Sequence, residues 1–151
     1  MTLDDLPTWA GELLGGASVA RLALLDERDL PRLLPVTFAV WEGAVWSAID
    51  RKPKRAAEPA RVRRLRRRPE AALLVDRYED DWSRLAWVEL RGAVTIHSAG
   101  PALEALAGKY QQYRDDPPPG PLLRLEPRSA VCWRASAEDS EGGTVFEGRH
   151  A

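Results

Sequence analysis

From Leu33 to Val40 the chain alternates, with Leu34, Val36, Phe38 and Val40 on one side and Leu33, Pro35, Thr37 and Ala39 on the other. That two-residue period predicts a strand with one face in a core. Glu42-Gly43 supplies a turn, and Ala44 to Ile49, in which Val45, Trp46 and Ile49 are strand formers, predicts the return strand of a hairpin that ends at Asp50.

Upstream, Leu6, Trp9, Leu13 and Leu14 recur at helical spacing. Thr2 can cap that helix, Asp4 and Asp5 favour its positive end, and Gly15-Gly16 stops it, which predicts a helix over one end of a sheet. Ser18 to Leu25 predicts a strand in which Arg21 is either an outward edge residue or a ligand-facing group, and Asp26 to Pro31 turns the chain into the hairpin.

Downstream, Ala60 to Arg68 predicts a helix that buries Val62 and Leu65 and is closed by Pro69. Ala71 to Arg77 and Ala86 to Ile96 read as strands joined by the polar loop Tyr78 to Leu85, with Gly92 as a bulge or point of close approach. Pro101 opens a helix with Leu103, Leu106 and Tyr110 or Tyr113 on one face. After a stiff connector from Asp115 to Pro121, Leu122 to Ala135 supplies the last strands. Six strands with short connections predict a mainly β, α+β fold: an antiparallel barrel with flanking helices in one domain over 1–135, followed by a polar, loosely ordered tail over 136–151.

Composition changes this picture at one place. The net charge of -1 hides a segment from Arg51 to Arg68 that carries +9, against -10 elsewhere. Arg51, Lys52, Lys54 and Arg55 flank Pro53, so several cations sit on a stiff loop suited to a phosphate. Six arginines between Arg61 and Arg68 invite a nucleic-acid reading, but no helix-turn-helix partner accompanies them and the acidic remainder opposes it. A solvated helix face is expected for most of them.

The acidic N-terminus lacks the positive region and apolar core of a secretory signal, and no apolar run approaches membrane-spanning length, so a cytoplasmic protein is expected. His97 and His150 give no metal-ligand spacing, and Cys132 reads as a packed residue rather than a nucleophile. Neither GxGxxG nor a Walker loop is present. Chemistry, if the chain performs any, is expected to come from a bound cofactor.

The strings RLLPVTFAVWEGAVWSAIDRKPKR, LLVDRYEDDWSRLAWVELRG and LAGKYQQYRDDPPPGPLLRLEP, in this order, resemble the pyridoxamine 5′-phosphate oxidase-like split β-barrel superfamily, and most closely its F420-dependent oxidoreductase branch. The resemblance covers Ser18 to Ala135. It implies a six-stranded split β-barrel, a homodimer and cofactor grooves between the subunits. Pro35, Val36 and Thr37 would run beside an isoalloxazine-type ring, and Ala48, Ile49 and Asp50 beside its ribityl chain. Lys52, Lys54 and Arg55 would clamp the phosphate, and Trp82, Arg84 and Trp87 would approach from the second subunit. No single catalytic acid or base is implied. Hydride would pass between the cofactor ring and a small unsaturated molecule laid over it.

F420 is expected ahead of FMN because its oligoglutamate tail needs basic partners and the Arg61 to Arg68 helix follows the phosphate loop directly. The alternatives are an FMN-dependent oxidoreductase and a non-catalytic protein that holds F420, a flavin or haem. Neither nucleic acid nor membrane is expected as a partner.

Overall fold

The computed structural model describes residues 1–49, 58–98, 100–135 and 144–147. Its strands are β1 (Ala20–Leu25), β2 (Pro31–Val36), β3 (Ala39–Trp41), β4 (Ala44–Ala48), β5 (Glu70–Arg77), β6 (Ala86–His97), β7 (Leu122–Arg134) and β8 (Thr144–Glu147). Its helices are α1 (Thr8–Gly16), α2 (Ala60–Arg67), α3 (Ala102–Lys109) and α4 (Gln111–Asp115).

All the strand pairs are antiparallel, in the order β2-β1-β5-β6-β7-β4-β3, with β8 beside β7. The two ends of this path, β2 and β3, are consecutive in sequence and separated only by Thr37 and Phe38. So short a connection spans roughly 10 Å at most, so the sheet must curl until its edge strands meet. The result is a curled antiparallel half-barrel.

Seven strands lie on the path where six were expected, because the run from Leu33 to Val40 is two strands. Its alternation persists across the break while its partner changes from β1 to β4. The Glu42-Gly43 turn is as expected: φ is 47° and 70°, the positive pair of a type I′ hairpin. Gly92 sits at a register shift between β6 and β7, where an added Cβ would lie 1.9 Å from the carbonyl oxygen of Glu126. The expected close approach is therefore real, and only glycine fits it.

The N-terminal helix is broken. A 3-10 turn at Leu3–Asp5 precedes Pro7, and α1 starts after the proline, which has no N–H to continue the first turn. Thr2 N–H and Oγ1 both donate to Asp5 Oδ2, at 2.6 and 3.2 Å, closing that turn. Leu6, Ala10 and Leu14 then enter the main core with Leu22, Leu24, Val36, Phe38, Leu73, Val75, Val88 and Leu90. Val62 and Leu65 of α2 join them, as their spacing predicted. A second core lies outside β3 and β4, where Leu106 and Tyr113 of α3 and α4 pack on Ala39, Ala44, Trp46 and Ala48.

The tail, expected to be loosely ordered, contributes β8, whose Phe146 packs against the main core. β7 is long enough to hold two neighbours on one edge, β4 along Leu122 to Leu125 and β8 along Ser129 to Cys132.

Candidate functional site

The crossover between β2 and β3 is held by side chains from three directions. Ser47, the one buried polar residue among those described, donates from Oγ to the carbonyl of Thr37 at 2.6 Å. Thr37 Oγ1 and the Tyr113 hydroxyl lie 2.6 Å apart. The Tyr110 hydroxyl accepts from Phe38 N at 3.0 Å and shares its proton between the carbonyls of Ser18 at 2.8 Å and Phe38 at 3.1 Å. Burial pushes the Tyr110 pKa up, keeping the proton that these bonds use. A chain leaving one sheet edge for another loses ladder bonds, and these hydroxyls replace them.

Next to this crossover β2 is an edge strand, paired only with β1, so alternate N–H and C=O groups face away from the sheet. Pro35 is exposed there, while Val36 points into the core and Thr37 is half-buried. The Ser47–Thr37 bond brings the end of β4, with buried Ala48 and Ile49, against the same crossover. Thus Pro35, Val36, Thr37, Ala48 and Ile49 come together at the crossover. Asp50, Lys52, Lys54 and Arg55 lie outside the described residues.

Trp82, Arg84 and Trp87 are elsewhere. They sit at the β5–β6 connection, with β1 and β5 between them and β2 in the sheet order. Trp82 is 70% exposed, Arg84 pairs with Glu79, and half-buried Trp87 stands opposite Trp133 on β7. Asp81 fixes this corner by accepting from Ser83 N at 3.1 Å and from its hydroxyl at 2.6 Å, bonds that hold the carboxyl below its ordinary range.

Cross-strand register places Pro35, Arg21, Leu74, Glu89, Val131 and Val145 in one row on the outside of the sheet. Arg21, left open between two roles, points outward and pairs with Asp76 at 3.4 Å. Around that row Leu33 is 74% and Val145 56% exposed, making a sheet face more apolar than solvent requires. A separate hollow of about 920 Å³ lies towards the Pro31 end of β2, around the Gly92 bulge, away from the crossover.

The arginines of α2 are largely occupied. Arg64 meets Glu27 at 3.0 Å, Arg66 meets Glu58 at 2.8 Å, Arg67 and Arg68 share Asp29 at 3.0 and 3.2 Å, and Arg63 donates to the carbonyl of Glu58 at 2.6 Å. Arg61 alone in this helix has no such partner among the described residues. Cys132 is buried and its thiol is pushed up to about 11, as befits a packed residue. Sequence reasoning missed Ser47 and the double role of Tyr110 and Tyr113; the signal was a run of hydroxyls, Tyr110 and Tyr113 three apart, at positions otherwise suited to core.

No family model and no curated protein matches the chain. Solved structures do. A haem-binding protein from Mycobacterium smegmatis is 18% identical with a TM-score of 0.70, covering 94% of this chain and 59% of its own. A Clostridium acetobutylicum protein related to general stress protein 26, of the pyridoxinephosphate oxidase family, is 17% identical with a TM-score of 0.65 and covers 92% of both chains. An FAD-binding protein from Mesorhizobium loti is 13% identical with a TM-score of 0.61, covering 83% and 92%. These likenesses establish the split-barrel fold. Among the described residues no helix is long and apolar enough to cross a membrane.

Proposed function

We propose that the chain is a homodimeric oxidoreductase of the pyridoxamine 5′-phosphate oxidase-like superfamily that uses F420. The observation that carries this is the open edge of β2 beside a crossover fixed by Ser47, Tyr110 and Tyr113, followed in sequence by the cationic loop Asp50 to Arg55. The free N–H and C=O groups of an edge strand fit the polar rim of a flat heteroaromatic ring. Lys52, Lys54 and Arg55 supply charge for its phosphate, and Ala48, Ile49 and Asp50 line the way between.

Such a cofactor, when bound, supplies hydride transfer to or from a small unsaturated molecule. The chain's own part is to bind, orient and exclude water. The apolar outer face bearing Leu33, Leu74 and Val145 suits a second copy, whose Trp82, Arg84 and Trp87 would complete the groove. In this reading the enzyme works in the cytoplasm with neither nucleic acid nor membrane as partner.

FMN is the second reading, favoured by one observation: among the described residues the paired arginines leave Arg61 as the one cation of α2 without a partner for an oligoglutamate tail. A non-catalytic haem carrier is less well supported, since His97 bonds Thr95 Oγ1 through Nε2 at 2.7 Å and packs at a tilt against Trp46, ring centres 5.1 Å apart. Titration of the apo-protein with F420 and with FMN, followed by fluorescence, decides. Tighter binding of F420, with oxidation of F420H2 by an enone acceptor, is expected. Preference for FMN moves the assignment to the second reading, and binding without turnover by any acceptor moves it to a carrier.

A further inference from the structure

Lys109 ends α3 in an unusual setting. Its Nζ is buried and has no hydrogen-bond partner among the described residues. It lies 3.7 Å from the centre of the Phe38 ring and 5.5 Å from that of Tyr110, so what offsets its burial among the described residues is cation–π attraction and the negative end of α3. Among the described residues no carboxylate pairs with it. Arg114 on α4, another cation, donates to the carbonyls of Ala107 and Gly108 at the C-terminal end of α3, at 2.8 and 3.1 Å.

A buried ammonium without an acceptor costs stability, and a methionine of similar length would avoid that cost. Phe38 directly follows Thr37, so this charge stands behind the crossover that closes the candidate site. In a water-poor surrounding its field is weakly screened.

We propose that Lys109 is a positioning residue of charge for that site: its uncompensated ammonium holds a positive potential at the Thr37–Phe38 crossover, so that the site favours the reduced, more negative form of a bound flavin or deazaflavin ring. This rests on the cofactor reading above. Burial alone already lowers the Lys109 pKa to about 8, in keeping with a cation that has no anionic partner until a ligand arrives.

The test compares wild type, Lys109→Met and Lys109→Arg for binding of oxidised and reduced FMN and F420, with the potential of the bound cofactor as the readout. Lys109→Met should weaken the reduced form relative to the oxidised at least tenfold, a shift of about 30 mV for a two-electron couple, and Lys109→Arg should restore most of it. An unchanged ratio in a folded Lys109→Met chain that still binds overturns the proposal and leaves the cofactor reading intact. Wild type binding neither cofactor overturns both. A measurement on the unaltered chain guards against a variant that fails to fold: the Lys109 Nζ pKa, followed by NMR, should rise when reduced cofactor binds, and a constant value also overturns the proposal.

Discussion

Two cationic regions of this molecule differ in a way their charge counts conceal. Helix α2 and its cap residue Arg68 carry six arginines and present five of them to Glu27, Asp29, Glu58 or a carbonyl of the chain itself. The end of α3 carries one lysine and gives it no acceptor among the described residues. The first region is conspicuous in sequence and largely neutralised in the fold; the second is inconspicuous and its charge is not offset by a carboxylate among the described residues. What a ligand feels depends on the pairing that remains after folding, not on the number of basic residues.

The comparison can be broken most forcefully at a third basic region, Arg51 to Arg55, which follows β4 in sequence. If Lys54 and Arg55 hold the cofactor phosphate as proposed, replacing both by alanine removes two charge-assisted bonds of roughly 1.5–3 kcal/mol each. The dissociation constant of the cofactor should rise well over tenfold, and a value equal to that of wild type would remove these residues from the phosphate site.

Next comes the crossover that gives Lys109 its setting. Tyr110→Phe leaves Phe38 N and two carbonyls without their hydroxyl, and the chain should lose about 1–3 kcal/mol in urea denaturation. A loss below a few tenths would mean that water replaces the hydroxyl.

A smaller effect separates the two regions by pH. The folded chain holds the Lys109 proton less tightly than the unfolded one, with a pKa of about 8 against 10.5. Between those values the unfolded chain binds more protons, so this group makes stability rise as pH increases from 8 to 10.5, and below 8 its penalty is constant. The stability difference between wild type and Lys109→Met should therefore narrow over that interval. A difference that ignores pH would show that Lys109 is solvated.

The smallest change belongs to α2. Arg64→Ala should alter stability by less than about 1 kcal/mol, because its pair with Glu27 is exposed on the glutamate side. A larger loss, or salt-sensitive retention of the wild-type chain on nucleic acid at physiological salt, would reverse the ranking of the two regions.

Much of this architecture was legible in the sequence, for identifiable reasons. Period two marked which side chains of β2 to β4 enter the core, the Glu42-Gly43 turn needed positive φ, and Val62 and Leu65 were the only apolar pair on their helix. The break at Thr37–Phe38 was not legible, because alternation records the face a side chain takes and not the strand that its backbone pairs with. Val36 and Phe38 are both buried on either side of the change. The role of Ser47 was hidden likewise, since its partner is a carbonyl ten residues away. Pro35, Val36, Thr37, Ala48 and Ile49 were found by resemblance, and the fold brings them together. Trp82, Arg84 and Trp87 stay apart from them within one chain, at the β5–β6 connection.

β7 pairs with β6 along its length and with β4 and β8 on its other side, so three strands wait for one. During synthesis β4 leaves the ribosome some seventy residues before its partner segment, Leu122 to Leu125, has been made. Until then the edges of β4 and β6 are open together, and the nascent chain has no way to complete its sheet piecemeal. Closure of the sheet therefore waits for β7, and until then the open edges of β4 and β6 offer unpaired backbone to other chains.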